Sequence, residues 1–576
     1  MTYSASEVAS ATRPRPRTWA GVVDPSLWVL ALLAVILAFL IINPLARLVI
    51  DAFSTPEGGV TLSNFADALG RSRNLQAYWN TIKLASATMA LALLMALPMA
   101  WAVSRTDVPA RGALYLGVIG AFIMPPFLGA IGWILLAGPN AGWLNQIATG
   151  LTGAEQGPFD IFSMWGLAFV IALSLFPLIF IFATSALDLI SSEMEEAAAI
   201  HGAGPLRATW LVTLPLALPA IVGAGMLVFL ETIALYGTPA LIAIPARYNV
   251  ATTQLTMFFE YPMRIETAMA FSVPLVLITI VLLVAQRLLL SRGGHVAVAG
   301  KGGARQPLRL GPWRWVLFGY GAFVSLLAII LPAGMLFLTS LSRAWAQPLS
   351  WSNLTLENYV DILFRQETVR EAMTNTVVYS AISATVCCVL GFAVAYIVIR
   401  KLLPFASGLA FLAVAPIAVP GIVLAVCFYA AYAGPPFQLY GSSALVIIAF
   451  ITRFLPIAFV AASAGIRSLH TELEEAVRIL GGNRLTVLRQ VVAPLLKKSL
   501  LGVWILIFVI STRELSTAVF LTGPESRVIS ILTLDLSEQG QYEILAAMGV
   551  VLLTVTTLVV AIGMRLLGRD FMLRRN

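Results

Sequence analysis

Few residues in this chain could do chemistry, and most of those fail the spacing that chemistry needs. His201, His295 and His470 have no cysteine or carboxylate at ligand spacing, so no metal cage is expected. Cys387, Cys388 and Cys427 lie in apolar runs without a C-x-x-C pair, which argues against zinc, redox and disulfide roles. None of the five lysines (Lys83, Lys301, Lys401, Lys497, Lys498) ends a Gly-x-x-x-x-Gly-Lys-Ser/Thr run, so the chain has no loop to cradle nucleotide phosphates. No paired carboxylates or nucleophile motif occur, and no cofactor is expected. Two charged groups remain. Glu231, Arg453, Arg513 and Glu514 stand inside apolar runs, where ionised side chains are costly and mark either an ion pair or a pathway; Arg453 and Glu514 are expected to pair across the bundle in at least one transport state. The other group is acidic and occurs twice, as EEAAAIHGAG from Glu195 and EEAVRILGGN from Glu474.

These residues must be positioned by membrane helices. Of 576 residues, 59% are hydrophobic and 11% charged, less than half the roughly 25% charge of soluble domains. A bilayer core needs about 20 apolar helical residues per crossing. Charge-free windows of that length cover 26–46, 84–104, 161–187, 208–230, 267–286, 315–342, 372–399 and 544–564. A further span ends near Ala137, before the turn GPNAGWLN. The stretch 402–452 is broken at Gly434, Pro435 and Pro436 into one span and the start of another, and 499–522 makes the last, for twelve in all. The net charge of +8 comes from short basic clusters between apolar runs, a topology signal and not a nucleic-acid surface. With the amino terminus inside, 24 of the 34 loop Lys and Arg face the cytoplasm, so both termini are expected there. The apolar run after RPRPR is too long for a secretory h-region and reads as a retained first helix.

The chain is internally repeated. TLSNFADAL at Thr61 returns as TLENYVDIL at Thr355, Asn80-Thr81 as Asn375-Thr376, Pro177 as Pro456, and the acidic segment returns after 279 residues. The expected fold is an all-α integral membrane protein with twelve transmembrane helices in two homologous six-helix halves. An even number of crossings gives the halves parallel orientation. The boundaries expected are 1–290, a Gly/Arg-rich cytoplasmic linker at 291–312, and 313–576. Each acidic segment starts with what reads as a capping box, Ser192 with Glu195 and Thr471 with Glu474. Gly202 or Gly481 suits a left-handed carboxyl cap. A second short helix follows, capped by Gly204 or Asn483 with Pro205 or Arg484 first, and runs into Pro215 or Pro494. Two cytoplasmic helix-turn-helix knuckles are thus expected, where a single EEA triplet would be only a solvated helix.

The pattern E-A-A, three residues, Gly, nine residues, aliphatic-x-Leu-Pro resembles the EAA loop of membrane permeases of binding-protein-dependent ABC importers. Glu196, Ala197, Ala198, Gly202, Val212, Leu214 and Pro215 match it. Glu475, Ala476, Gly481, Val491 and Pro494 match in the second copy, with Val477 and Ala493 as departures, so the two loops need not grip a partner equally. The resemblance implies that Glu195, Glu196, Ala197, Ala198, Gly202, Glu474, Glu475, Ala476 and Gly481 form coupling helices for a cytoplasmic ABC ATPase dimer. It also implies an external solute-binding protein, a place in a bacterial inner membrane, and a non-enzymatic translocation subunit energised by another chain. The double-length form is similar to permeases for ferric iron and thiamine, and YGTPALIAIPARYNVATTQL from Tyr236 looks most like the ferric branch. Polyamine or phosphonate import, or a proton- or sodium-coupled secondary transporter, are the alternatives; the last leaves the knuckles unexplained.

Overall fold

A computed structural model describes residues 25–55, 57–190, 192–292, 307–347, 350–403 and 406–567. The basic tract Arg13, Arg15 and Arg17, the linker's Lys301 and Arg305, and His295 lie outside them. Among the described residues no strand forms, only isolated bridges between helices. Ten helices are long and apolar enough to cross a membrane. They are spans 1 (Ala31–Ala52), 2 (Ser72–Arg105), 4 (Met164–Leu189), 5 (Thr209–Ala234), 6 (Ile265–Leu290), 7 (Trp313–Ser340), 8 (Glu367–Ile399), 10 (Ser443–Arg467), 11 (Arg484–Thr512) and 12 (Tyr542–Leu567). Spans 3 and 9 are bent pairs, Arg111–Ile123 with Pro126–Ala137 at 99° and Ala406–Ala418 with Gly421–Tyr432 at 113°. Counting each bent pair as one span gives the twelve expected, two of them broken.

The breaks follow from backbone chemistry. Phe122 Oxygen would bond the amide four residues on, and Pro126 has none; Arg513 Nη1 donates to that carbonyl instead, at 2.6 Å. At the other break, before Pro420, Arg453 Nη1 donates to the Val419 carbonyl at 2.9 Å. Water cannot satisfy such groups at membrane depth, so side chains must. Spans 1, 5, 7 and 11 show a milder response. Each contains a π turn, at Ala38–Ile42, Thr209–Thr213, Leu326–Ile330 and Leu488–Val492, ending two residues before Pro44, Pro215, Pro332 and Pro494. A widened turn makes room for a ring that would collide with the carbonyl four residues back.

The repeated polar residues close helix ends. Asn64 Nδ2 donates to the Ala52 and Ser54 carbonyls, and Asn358 Nδ2 to those of Ser340 and Ser342, which is why Asn recurs in the two TLxN segments. Thr81 Oγ1 accepts from the Ala251 amide and Thr376 Oγ1 from the Ile529 amide, each at 2.8 Å, capping short helices whose own preceding residue is valine. Span 1 packs its Asn43–Ala52 segment on Gly421–Tyr432 of the second half, and span 7 packs Leu331–Ser340 on Pro126–Ala137 of the first. A β-carbon on Gly132 would lie 2.6 Å from Pro332 Cβ, so glycine is required where these helices meet. The helix ending the first half runs to Arg292, two residues past the expected boundary. The turn after Ala137 also holds an unexpected helix, Trp143–Thr152, pinned by Asn145 Nδ2 to the Gly138 and Phe159 carbonyls.

Candidate coupling and translocation sites

Each knuckle begins with a nine-residue helix, Ser192–Ile200 or Thr471–Ile479. Gly202 and Gly481 follow with φ of +80° and +83°. The Gly482 amide then reaches back to the Val477 carbonyl at 2.9 Å, and Ala203 to Ala198 at 3.0 Å, the 6→1 bond of a Schellman closure in both copies. The second helices start at Pro205 and Arg484 as expected, and Asn483 Oδ1 caps the Thr486 amide at 2.9 Å. They are not separate elements, because the π turns carry them without interruption into spans 5 and 11.

The capping-box reading is corrected in the second copy; in the first, the Ser192 side chain lies outside the described residues. Helix Thr471–Ile479 has His470 at its cap and no side-chain cap bond, and Glu474 turns inward. Its Oε1 meets Arg400 Nη2 at 2.7 Å and Nε at 2.8 Å, and its Oε2 accepts from the Tyr396 hydroxyl at 2.9 Å. In the first copy Glu195 Oε2 lies 3.5 Å from Arg105 Nη1, and Oε1 accepts from Thr213 Oγ1 at 2.5 Å. A distant guanidinium outcompetes a neutral backbone amide for a carboxylate. Sequence reasoning missed Arg105 and Arg400. The available signal was their offset of 295, the same as between Asn80 and Asn375 in the same helices. Glu475 and Ala476 face outward, as does Ala197, while Ala198 is half-buried. Beside them Ile200 and Ile479, equivalent in the repeat, are each 85% exposed, an apolar pair suited to a partner surface.

The end of the linker is tied to this region. Leu308 donates to the Arg105 carbonyl at 2.9 Å, the Asp107 amide to the Leu308 carbonyl at 3.1 Å, and Leu310 to Asp107 Oδ1 at 3.0 Å. The Leu310 amide, with help from Arg314, holds the Asp107 carboxyl below its ordinary range.

A cavity of about 360 Å3 lies between the two broken spans, and Glu231, Arg453, Arg513 and Glu514 all line it. Arg453 and Glu514 are not paired with each other in this conformation. Arg453 is drawn to the Val419 carbonyl, and Glu514 Oε1 accepts from the Thr517 amide at 2.8 Å. Span 11 ends at Thr512, ten residues before the expected end, which places Arg513 and Glu514 in the turn beyond it. The Arg513 guanidinium also lies over the Phe122 ring, 4.9 Å from its centre. Glu231 has no hydrogen bond or ion pair among the described residues, and its carboxylate is exposed to the cavity. Among the described residues no group of three His, Cys, Asp or Glu could hold a metal ion.

Residues 389–572 match the family described as binding-protein-dependent transport system inner membrane component. A ferric transport system permease protein of Actinobacillus pleuropneumoniae is 27% identical over 475 residues, 79% of this chain and 66% of the relative. A permease named for a 2-aminoethylphosphonate transport system in Salmonella typhimurium is 33% identical over 211 residues, 36% of this chain and 72% of the relative. A spermidine/putrescine transport system permease protein of Escherichia coli is 25% identical over 225 residues, 38% of this chain and 83% of the relative.

Proposed function

The chain belongs to the family of binding-protein-dependent transport system inner membrane components, and from that premise we propose that it is the translocation subunit of an ATP-driven importer of ferric iron. The observation that carries the reading is the pair of knuckles, each a rigidly closed helix that turns one carboxylate inward and leaves Ile200 or Ile479 exposed. In this reading the knuckles face the cytoplasm with both termini and dock a cytoplasmic ATPase dimer, one per half. Residues 1–290 and 313–576 are the halves, and 291–312 joins them. Glu196 and Glu475, each one residue past the first turn of its helix, supply charge to the partner. An external binding protein delivers the solute. The cavity between the broken spans is the pathway, and Glu231, which lines it in the field of Arg513 but without a hydrogen bond or ion pair among the described residues, is the carboxylate in it that meets a cation.

Carboxylate oxygens suit a hard ion such as ferric iron, and the ferric relative aligns with 79% of this chain at 27% identity. A second reading, import of an amino-phosphonate, draws on the 33% identity to the 2-aminoethylphosphonate relative; the cavity's mixed guanidinium and carboxylate lining would suit a zwitterion. The test is reconstitution in proteoliposomes with the ATPase subunit and binding protein, followed by uptake of radioactive ferric iron or 2-aminoethylphosphonate. ATP-dependent ferric uptake is expected. Uptake without the ATPase, driven by a proton or sodium gradient, would replace the importer reading with a secondary transporter.

A further inference from the structure

We propose that Arg105 and Arg400 are positioning residues that lock each knuckle to spans 2 and 8, so that displacement of a knuckle is delivered to three spans of its half and not only to the two it joins covalently. The proposal rests on the reading of the knuckles as ATPase-docking helices. Covalent connection alone links the first knuckle to spans 4 and 5, and the second to spans 10 and 11. Arg105 is the last residue of span 2, and Arg400 directly follows span 8.

Each guanidinium joins three elements. Arg105 Nη2 donates to the Leu187 and Ile190 carbonyls at 2.7 and 3.1 Å, closing the end of span 4, while Nη1 faces Glu195. Arg400 Nη2 reaches the Ile466 and Leu469 carbonyls at 3.4 and 3.2 Å, at the end of span 10, and shares Glu474 with Nε. A cation at a helix carboxyl end is favourable, and the planar fork lets one side chain serve carbonyl and carboxylate together. The pairs are largely shielded, with side-chain exposures of 5% and 21% for Arg105 and Glu195 and 13% and 12% for Arg400 and Glu474. A nine-residue helix is too short to hold its shape alone. It therefore depends on this lock and on its closing glycine. The hydroxyl that completes each site differs, Thr213 from span 5 in one half and Tyr396 from span 8 in the other. Conservation of the Arg–Glu pair with a changed accessory group marks the ion pair as the common element of the two copies. Glu195 and Glu474 are thereby committed to the bundle, which leaves Glu196 and Glu475 for the partner.

The test uses the full chain carrying Arg400→Gln, Glu474→Gln, Arg400→Lys, or the exchange Arg400→Glu with Glu474→Arg. Hydrogen exchange is read on the permease alone. Capture of the ATPase subunit and ATP hydrolysis stimulated by the binding protein are read on the reconstituted complex. Both glutamine variants should raise exchange in Thr471–Ile479 about tenfold, the loss expected for a hydrogen bond to a charged group. Glu474→Gln should leave Ser443–Arg467 exchanging as before, and both variants should retain ATPase capture and lose most of the stimulated hydrolysis. The charge exchange should restore part of it and Arg400→Lys less, since an ammonium cannot reach carboxylate and carbonyls as a fork. Stimulated hydrolysis at the original rate in both glutamine variants overturns the proposal, whatever happens to exchange. Should Arg400→Gln fail to insert, the near-isosteric Glu474→Gln decides alone. If the unaltered chain captures no ATPase while exchange responds to the variants, the docking reading falls and the lock stands as a structural tie.

Discussion

The two knuckle glycines show how a single residue's role can be separated from the space around it. Gly202 and Gly481 sit at φ of +80° and +83°, yet a β-carbon on either would meet nothing within 4 Å. The constraint is therefore backbone strain and not collision, roughly 1–2 kcal/mol for a residue with a β-carbon forced into the left-handed region. Gly202→Val and Gly481→Val should insert normally but lose capture of the ATPase in pull-downs from detergent extracts, while Asn, which tolerates that region, should retain most of it. Equal loss with Asn and Val would show that bulk, not conformation, is what the partner rejects. At the cavity, Glu231 differs from Arg453, Arg513 and Glu514 because no backbone group occupies it. Glu231→Gln should reduce ferric uptake about tenfold or more, as expected when a group facing a charged solute is neutralised, without changing ATPase capture. Arg453→Leu, by contrast, should impair folding by orphaning the Val419 carbonyl. Unchanged uptake by Glu231→Gln would remove that carboxylate from the pathway.

Among elements, the strap after span 2 gives a pH-dependent expectation. The carboxyl of Asp107 lies below its ordinary value of 3.8, first through the Leu310 amide. A carboxylate lowered in the folded state contributes fully above its ordinary value, and the contribution disappears as pH falls through the lowered one. Protection of the Leu310 amide, corrected for intrinsic exchange, should therefore be flat from pH 5 to 8 and fall below pH 3.8, and Asp107→Ala should remove it at every pH. The same scale shows what was legible in the sequence. Spans, the repeat, Gly202, Gly481, Asn483 and the place of Pro205 were readable because each depends on local pattern or backbone preference. The bends were not, although Pro125, Pro126 and Pro420 were in view. Counting apolar residues measures length, whereas an angle of 99° or 113° is set by what the inner segment packs against. The capping box of the second copy misled because the partner of Glu474 lies 74 residues away in the chain. In this conformation Glu514 is held for the opposite reason, a local amide having taken the carboxylate.

At the scale of the whole molecule, duplication decides what can lie on which side. Both knuckles follow the fourth span of their half, and both are locked to the end of the second, so the ends of spans 2, 4, 8 and 10 share one face with Arg105 and Arg400. The strap at Leu308 and Leu310 bonds directly to that face through the Arg105 carbonyl and Asp107, so it must lie there too. The helix Trp143–Thr152 and its following loop emerge after the third span, at the opposite end of span 4 from the first knuckle. In the proposed orientation the knuckle face is inside, since 24 of the 34 loop Lys and Arg fall on that side. Gly311 and Gln156 are exposed on the two faces, and the native Cys387 and Cys427 are buried, with Cys388 only part-buried. In a chain carrying Cys388→Ala, Gln156→Cys should react with a membrane-impermeant maleimide in intact spheroplasts, and Gly311→Cys only after the membrane is opened. The reverse order would turn the molecule over and place the knuckles outside, where no ATP is available to a docked partner. Labelling of both positions from outside would mean that an odd number of crossings separates Gln156 from Gly311 no longer holds, and the twelve-span topology with its two broken members would have to be withdrawn.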